Sequence, residues 1–94
     1  MPALLIRHKV VDYARWRTII DEHGFNRRAN GSRGARIFRN AADPTEMLLL
    51  LEWDDLTRAR LFAQSDDLRD ALARAGVTDE SDLWFLDETG QLPA

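Results

Sequence analysis

The sequence predicts an α+β fold, in which a single four-stranded antiparallel sheet carries its helices on one face. Two patterns lead to this prediction. Residues 3–10, 35–39, 47–53 and 82–88 form short apolar or alternating runs of strand length, bounded by turn residues. The segments that follow the first and the third of these runs place apolar residues at helical spacing. The resulting order, βαββαβ, is the ferredoxin-like arrangement.

The first predicted helix follows the first strand directly. Asp12 suits an N-cap, because its carboxylate can accept hydrogen bonds from the backbone at the start of the segment 13–31. Gly31 and Gly34 end that segment. Gly24 lies inside it, and since glycine weakens a helix interior, a break at that point is the alternative, which would rotate Arg27 away from the stripe that faces the sheet.

The second half of the chain begins with a turn between the second and third strands. Asp43 and Pro44 pre-set its backbone bend. Asp54 is then the predicted N-cap of the next helix, Ser65 restarts that helix, and Gly76 closes it. The last strand follows and completes the predicted order.

Length and composition indicate one soluble domain. We expect residues 1–88 to form it and residues 89–94 to be a C-terminal tail. Apolar residues make up 45% of the chain and charged residues 31%, which is typical of a globular protein. Because the chain contains no cysteine, disulfides and thiolate nucleophiles are excluded. The apolar run before Arg7 is too short for a signal peptide or a membrane span, which favours a cytoplasmic protein without a membrane partner.

Charge is distributed unevenly along the chain. Residues 1–47 contain nine basic and five acidic residues, whereas residues 48–94 contain four basic and eleven acidic residues. The basic excess is densest in RRANGSRGARIFR, residues 27–39. Such a cluster is typical of nucleic-acid binding, but it also occurs on a solvated face or against an acidic subunit. Since the net charge is −3, we predict no nucleic-acid partner.

The third predicted strand indicates that both faces of the sheet are covered. In a sheet with one face in water, apolar and polar residues alternate along each strand. The run from Met47 to Leu51 is apolar throughout. The predicted helices cover one face, and the chain has too few residues left to cover the other. A second copy of the sheet is the economical solution, so we predict a homodimer.

Three stretches of the chain carry a resemblance to a known group of proteins. They are IRHKVVDYARWR with the DEH and RR that follow it, ARIFRNAADPTEMLLLLEWDD, and ARLFAQSDDLRDALARAGV. Together they resemble small bacterial proteins of the dimeric α/β-barrel superfamily, which includes antibiotic-biosynthesis monooxygenases and tetracenomycin-type polyketide cyclases. The resemblance implies two sheets that meet face to face, with a pocket in each subunit between sheet and helices. It does not fix the activity, because one fold hosts many functions.

Two histidines are the candidate catalytic residues. Strand alternation places His8 on an otherwise apolar face, which we assign to the helix side. Helical periodicity places His23 on the buried stripe of the first helix, together with Tyr13, Trp16 and Arg27. The two histidines and Arg27 are therefore expected to converge on one polar spot inside an apolar cavity. The predicted substrate-binding residues are Arg27, Trp16, Tyr13, Trp53 and Trp84.

Two functional hypotheses remain open at this point. The first is a cofactor-independent enzyme acting on an aromatic or polyketide-like molecule, either a cyclase or isomerase, or a monooxygenase. A neutral histidine would remove a proton next to a carbonyl, and Arg27 would hold the resulting enolate. The second is a non-catalytic dimer, ligand-binding or structural, with the histidines as core residues. No metal site and no cofactor are predicted, because the metal-pair spacing and the nucleotide motifs are missing.

Overall fold

The elements follow the predicted order along the chain. The computed structural model describes the backbone of all 94 residues, and the side chains of all except Phe25 and Asn26. No helix among the described residues is long and apolar enough to cross a membrane. The predicted βαββαβ order is confirmed, with each predicted helix divided into two. The elements are β1 Ala3–Lys9, α1 Tyr13–Glu22, α2 Gly24–Ala29, β2 Ser32–Asn40, β3 Asp43–Trp53, α3 Leu56–Ala63, α4 Asp66–Arg74 and β4 Asp82–Leu86.

The four strands form one antiparallel sheet in the order β2-β3-β1-β4, so that β2 and β4 are its two edges. Residues that are paired across neighbouring strands share a face of the sheet. Leu4 of β1 pairs with Phe85 of β4 on one face. Leu5 pairs with Leu50 of β3 and with Trp84 of β4 on the other face.

One face of the sheet is buried beneath the helices. In β1 and just beyond it, every second residue from Leu4 to Val10 is buried, whereas the residues between them are partly or fully exposed. This confirms the assignment of the face that contains His8 to the helix side. The core of buried apolar residues consists of Leu4, Ile6, Val10, Trp16, Ile20, Met47, Leu49, Leu51, Trp53, Ala59, Phe62, Leu68 and Ala75.

Three helices start at side-chain caps, and two of these were predicted. Asp12 and Ser65 each accept hydrogen bonds from the backbone at the start of α1 and α4, as expected. The predicted cap at Asp54 is wrong by one residue, because Asp55 is the side chain that caps α3. Asp54 instead forms an ion pair with Arg58 at 2.8 Å. Two adjacent aspartates offer two equivalent caps in sequence, and the entry angle of the chain selects between them.

The first predicted helix breaks at Gly24. His23 is the C-cap of α1, and α2 begins at Gly24. His23 therefore stays buried at the end of α1, whereas Arg27 belongs to a separate short helix. The Arg27 guanidinium donates from Nη1 to the Ile20 carbonyl oxygen at 2.8 Å, which ties the two helices together.

The helices leave the opposite face of the sheet uncovered. Leu5, Leu48 and Leu50 lie on this open face and are partly exposed, and Phe38 and Trp84 are 47% and 45% exposed. The strand β4 is exposed along its whole length although its sequence is almost entirely apolar. The open face is therefore an apolar surface that the folded chain does not bury by itself.

Gly31 joins α2 to β2 in a conformation that favours glycine. Its φ is +109°, and a Cβ at this position would lie 2.5 Å from Asp54 Oδ1 and 3.0 Å from Arg58 Cζ. Gly34 has a φ of +145°, but a Cβ there would meet nothing within 4 Å. Both positions need glycine for the backbone, whereas Gly31 also needs it for space.

We expect Gly31→Ala to lower the free energy of unfolding by about 3 kcal/mol, because it adds displacement of the Asp54–Arg58 pair to backbone strain. The control Gly34→Ala keeps the strain alone and should cost about 1 kcal/mol. Urea unfolding followed by tryptophan fluorescence measures both losses. Equal losses for the two variants would show that the side chains of Asp54 and Arg58 can move aside without lowering the free energy of unfolding.

Candidate functional site

His8 lies between the sheet and α1, and both of its ring nitrogens have partners. Its side chain is 0% exposed. The Trp16 indole donates from Nε1 to His8 Nε2 at 2.9 Å, and His8 Nδ1 lies 3.1 Å from Ser81 Oγ. The indole and imidazole rings also meet edge to face, with centroids 5.9 Å apart. The burial of this polar ring is compensated, since neither nitrogen lacks a hydrogen-bond partner.

These contacts fix the position of the imidazole proton. An indole N–H can only donate, so His8 Nε2 must be the unprotonated nitrogen. Neutral His8 then carries its proton on Nδ1 and donates it to Ser81 Oγ. Burial lowers the pKa of His8 to about 4, an effect that Asp79 opposes and Arg7 reinforces. At pH 7 the chain of donors therefore runs from Trp16 through His8 to Ser81.

Ser81 lines a cavity of about 220 Å³ between α3, α4 and β4. Leu83 forms its wall on the sheet side, and because the helices leave this residue 37% exposed, space remains beneath the edge strand. The other lining residues are mostly apolar; they are Ala63, Ser65, Leu68, Arg69 and Leu72. An apolar cavity with few, well-placed polar groups has the general character of a small-molecule site.

The two serines of this cavity differ in the hydrogen bonds that their hydroxyls can still form. Ser65 donates to the Phe62 carbonyl oxygen at 2.7 Å and accepts from the Leu68 backbone N–H at 3.1 Å. Ser81 accepts from His8, and no described residue accepts its own proton. Ser81 is therefore the hydroxyl of this cavity that can donate to a ligand oxygen.

His23 occupies a different environment. It is 4% exposed, and its Nε2 lies 2.9 Å from Asp67 Oδ2. Its ring packs against Phe62 with centroids 5.7 Å apart, and Phe62 in turn packs against Trp53 at 5.0 Å. Trp53 is fully buried, and its Nε1 has no hydrogen-bond partner among the described residues. An imidazole beside a carboxylate is held in one orientation, which is the arrangement that general bases use.

The three polar side chains expected at one spot occupy three separate environments. His8 bonds to Trp16 and Ser81, and His23 bonds to Asp67. Arg27 lines a second cavity, where α2 meets β2, at the opposite edge of the sheet from β4. Among the described side chains, neither histidine lines either of these two cavities.

The aromatic residues predicted to bind substrate are also distributed over different surfaces. Trp16 is buried and orients His8. Tyr13 packs beside Trp16 with ring centroids 6.0 Å apart, and the Arg39 guanidinium lies 4.6 Å from the centre of the Tyr13 ring. Trp84 lies on the open face of the sheet, where it pairs with Leu5. Trp16 is thus the aromatic residue that the structure connects to Ser81, through His8.

Sequence reasoning missed Ser81 and the cavity beside it. Arg7 pairs with Asp82 where β1 runs antiparallel to β4. One position further along this pairing, His8 lies beside Ser81. These two residues are 73 positions apart in sequence. The signal that could have found Ser81 is the register of the two strands, and alternation within a single strand does not supply a register.

We expect the stability of the protein to fall as the pH drops from about 6.5 to about 4. Unfolded His8 takes up a proton near its ordinary pKa of 6.5, whereas the folded protein resists protonation until about pH 4. The unfolded state therefore binds more protons in this window, which favours it by about 3 kcal/mol once both states are protonated. Asp43 and Asp79 also have lowered pKa values, and their stabilisation is lost only below the ordinary value of 3.8.

Urea unfolding at pH 7 and pH 4.5 measures this effect in the wild type and in His8→Gln. The glutamine oxygen can still accept from Trp16 but does not titrate, so the variant should lose the decline caused by His8. As a control, His23→Gln keeps His8 and should retain that decline. An unchanged pH dependence in His8→Gln would contradict the assignment of the effect to His8.

No protein-family model matches the chain, and no curated protein matches it significantly. Several solved structures do match its fold. The cofactor-independent oxygenase SnoaB from Streptomyces nogalater is similar with a TM-score of 0.78 and 13% sequence identity, over 99% of this chain and 97% of that chain. Its N63A variant gives a TM-score of 0.75 and 22% identity over the same shares. An antibiotic biosynthesis monooxygenase gives a TM-score of 0.70 and 13% identity, over 96% of this chain and all of that chain. The chain therefore has the fold of the antibiotic-biosynthesis monooxygenases, as the sequence resemblance predicted.

Proposed function

We propose that this protein binds an aromatic, polyketide-like small molecule in the cavity beside Ser81 and oxygenates it without a cofactor. Two facts support the reaction class: the fold is that of monooxygenases, and the similar protein SnoaB is a cofactor-independent oxygenase. The observation that carries the proposal is Ser81, a hydroxyl donor in an apolar cavity, oriented by the buried chain from Trp16 through His8.

A donor held in an apolar cavity is suited to stabilise negative charge on a ligand oxygen. Oxygenation without a cofactor needs an electron-rich substrate anion, formed when a phenol or a carbon next to a carbonyl loses a proton. Ser81 donates to the oxygen that carries this charge, and Arg69 on the same cavity wall adds a positive charge that its ion pair with Asp66 at 3.1 Å partly offsets. Both groups lower the pKa of the substrate.

The two histidines have different roles in this proposal. His8 is a positioning residue that acts through Ser81, since its low pKa makes it a weak base. Asp67 orients the imidazole of His23, but His23 does not line the cavity, so it accepts the substrate proton through an intervening water. Asp67 is followed in α4 by Leu68, which lines the cavity, so the same helix carries the partner of the base and a wall of the site.

A second candidate function is a non-catalytic dimer that binds a ligand or serves a structural role. The observation that favours it is the complete hydrogen bonding of His8, whose two nitrogens are both occupied by Trp16 and Ser81. Buried histidines of this kind are satisfied core residues in many proteins. The cavity and the Ser81 donor serve ligand binding in both proposals, so turnover is what separates them.

We also propose that the protein is a homodimer formed through the open face of the sheet. The centre of this face is apolar, and its charged residues lie around that centre. Arg7 contacts the carboxylates of Asp82, Asp79 and Glu46 at 2.8 to 2.9 Å. Arg36, at the β2 edge, lines a cavity with the carboxylates of Glu52, Asp87 and Glu88. A two-fold axis would bring the apolar centres of two copies together, with these charged groups at the rim.

We expect Ser81→Ala to weaken binding of a polyhydroxylated anthrone about tenfold, because one hydrogen bond to a charged oxygen is lost. Fluorescence titration measures the affinity. Oxygen uptake by the same mixture, with no added metal or cofactor, measures turnover, which should fall at least as far. The fold should survive, since water can replace the hydroxyl beside His8 in this partly buried position.

The matched control is Ser65→Ala, which removes the other serine of the same cavity. Its hydroxyl is committed to the cap of α4, so the variant should lose about 1 kcal/mol of stability and keep its affinity. Unchanged affinity in Ser81→Ala would overturn the assignment of the donor. Binding without any oxygen uptake in the wild type would establish the non-catalytic candidate instead.

The dimer is tested by two neighbouring leucines on opposite faces of β3. We expect the wild type to sediment at about twice the mass of the chain. Leu50→Asp places a carboxylate on the open face, so it should give a folded monomer. Leu49→Asp places a carboxylate in the core, where an unpaired charge costs several kcal/mol, so it should prevent folding. A wild-type chain that sediments as a folded monomer would refute the dimer.

A further inference from the structure

The cavity where α2 meets β2 has a volume of about 350 Å³ and belongs to neither role proposed above. Three arginines line it, and no carboxylate does. Its lining residues are Gly24, Arg27, Arg28, Ser32, Arg33, Gly34 and Ala35. Cavities of about 300 Å³ and more are large enough for a small molecule. The charge of the lining therefore identifies the kind of ligand that this space accepts.

Two of the guanidinium groups are held close together. Arg27 Nη2 and Arg28 Nη1 lie 3.4 Å and 3.5 Å from the point where a Cβ on Gly24 would sit. Arg27 is fixed there by its hydrogen bond to the Ile20 carbonyl oxygen. Burial lowers the pKa of Arg27, and the charge of Arg28 acts in the same direction. The two nitrogens are therefore no more than about 7 Å apart, so their like charges repel each other, and a bound anion between them would offset that repulsion.

The acidic residues near this cavity are engaged by other cations. Asp54 lies 4.0 Å from Arg33 but 2.8 Å from Arg58, so Arg58 is its main partner. Asp21 attracts Arg27, yet its carboxylate bonds to Arg17 at 3.0 Å. The cavity thus keeps an excess of positive charge. Asp54 orients Arg33 without neutralising it.

The remaining arginines of the basic segment lie elsewhere. Arg36 is on the open face of the sheet, and Arg39 covers the Tyr13 ring. The five arginines that looked like one patch in sequence are therefore divided among three surfaces. A nucleic-acid backbone needs an extended track of cations. Three convergent arginines around one cavity fit a compact anion instead.

We propose that this cavity binds a small molecule through a phosphate or diphosphate group, which Arg27, Arg28 and Arg33 contact with their guanidinium groups. Arginine pairs recognise phosphate oxygens by two parallel hydrogen bonds, which suits convergent guanidiniums. A single carboxylate would leave most of the positive charge uncompensated. Ser32 also lines the cavity, and a serine hydroxyl can donate to a phosphate oxygen.

This site is distinct from the cavity beside Ser81. The two cavities lie at opposite edges of the sheet, and three strand spacings of about 4.8 Å separate those edges. The proposed phosphate site therefore does not depend on the proposed oxygenation. It holds a second ligand and no part of the aromatic one.

Calorimetric titration of the full-length protein with pyrophosphate, phosphate and citrate, at one ionic strength, tests the proposal. We expect pyrophosphate to bind most tightly and its affinity to fall as salt is raised. The exposed arginines give the cleanest variants: Arg28→Gln and Arg33→Gln should each weaken binding at least about tenfold. The control Arg74→Gln makes the same change of charge on the exposed side of α4 and should leave affinity within about twofold.

Three results would overturn the proposal. An unchanged affinity for pyrophosphate in both variants would show that neither arginine contacts the anion, which would refute the site. Citrate or a single-stranded oligonucleotide that binds more tightly than pyrophosphate would refute the ligand class. Two further measurements keep this site separate from the proposed oxygenase: Arg28→Gln should bind the anthrone normally, and Ser81→Ala should bind pyrophosphate normally. A loss of both ligands in either variant would contradict the independence of the two cavities.

Discussion

The strict alternation of side chains along the strands decides which parts of this molecule meet helices and which meet other surfaces. In β3 both parities are apolar from Met47 to Leu51, so a single layer of helices cannot bury all of its apolar residues. Leu4 and Leu49 lie under the helices, whereas Leu5 and Leu50 lie on the open face. A register slip of one residue would exchange these sets and carry Arg7 into the core. That cost keeps the register fixed, and with it every contact described above.

His8 is the polar exception on the otherwise apolar inner face. The free-energy cost of burying its imidazole is offset by hydrogen bonds to residues of other elements. A buried imidazole without partners would be strongly unfavourable. Trp16 of α1 and Ser81 before β4 provide one partner each, so the ring joins a helix, the strand β1 and the sheet edge. Because the Trp16 indole can only donate, this one residue sets the direction of both hydrogen bonds, from Trp16 to His8 and from His8 to Ser81. A polar group inside the core thereby determines which hydrogen bond is offered at a cavity on the edge.

Local patterns predicted most of the fold, and non-local geometry accounts for what they missed. Alternation and helical spacing were sufficient for the element order and the inner face, and Gly24 marked the helix break. The adjacent aspartates at 54 and 55 could not be told apart, because a cap depends on the angle at which the chain enters the helix. Ser81 depended on a register between strands distant in sequence, and Arg27 on the turn that the chain makes after the break. Neither quantity is encoded within a single window of residues.

The strand β4 has a further consequence because it is exposed on both of its faces. Leu83 faces the cavity on one side, and Trp84 faces the open surface on the other. In the proposed dimer, this one strand of five residues would separate the proposed ligand from the partner subunit. A ligand that moves the backbone at Leu83 would also move the backbone that presents Trp84, and a subunit that moves the backbone at Trp84 would also move Leu83. By thermodynamic reciprocity, any influence of the ligand on association equals the influence of association on ligand affinity. If both proposals hold, the concentration of the protein itself becomes a variable in what it binds.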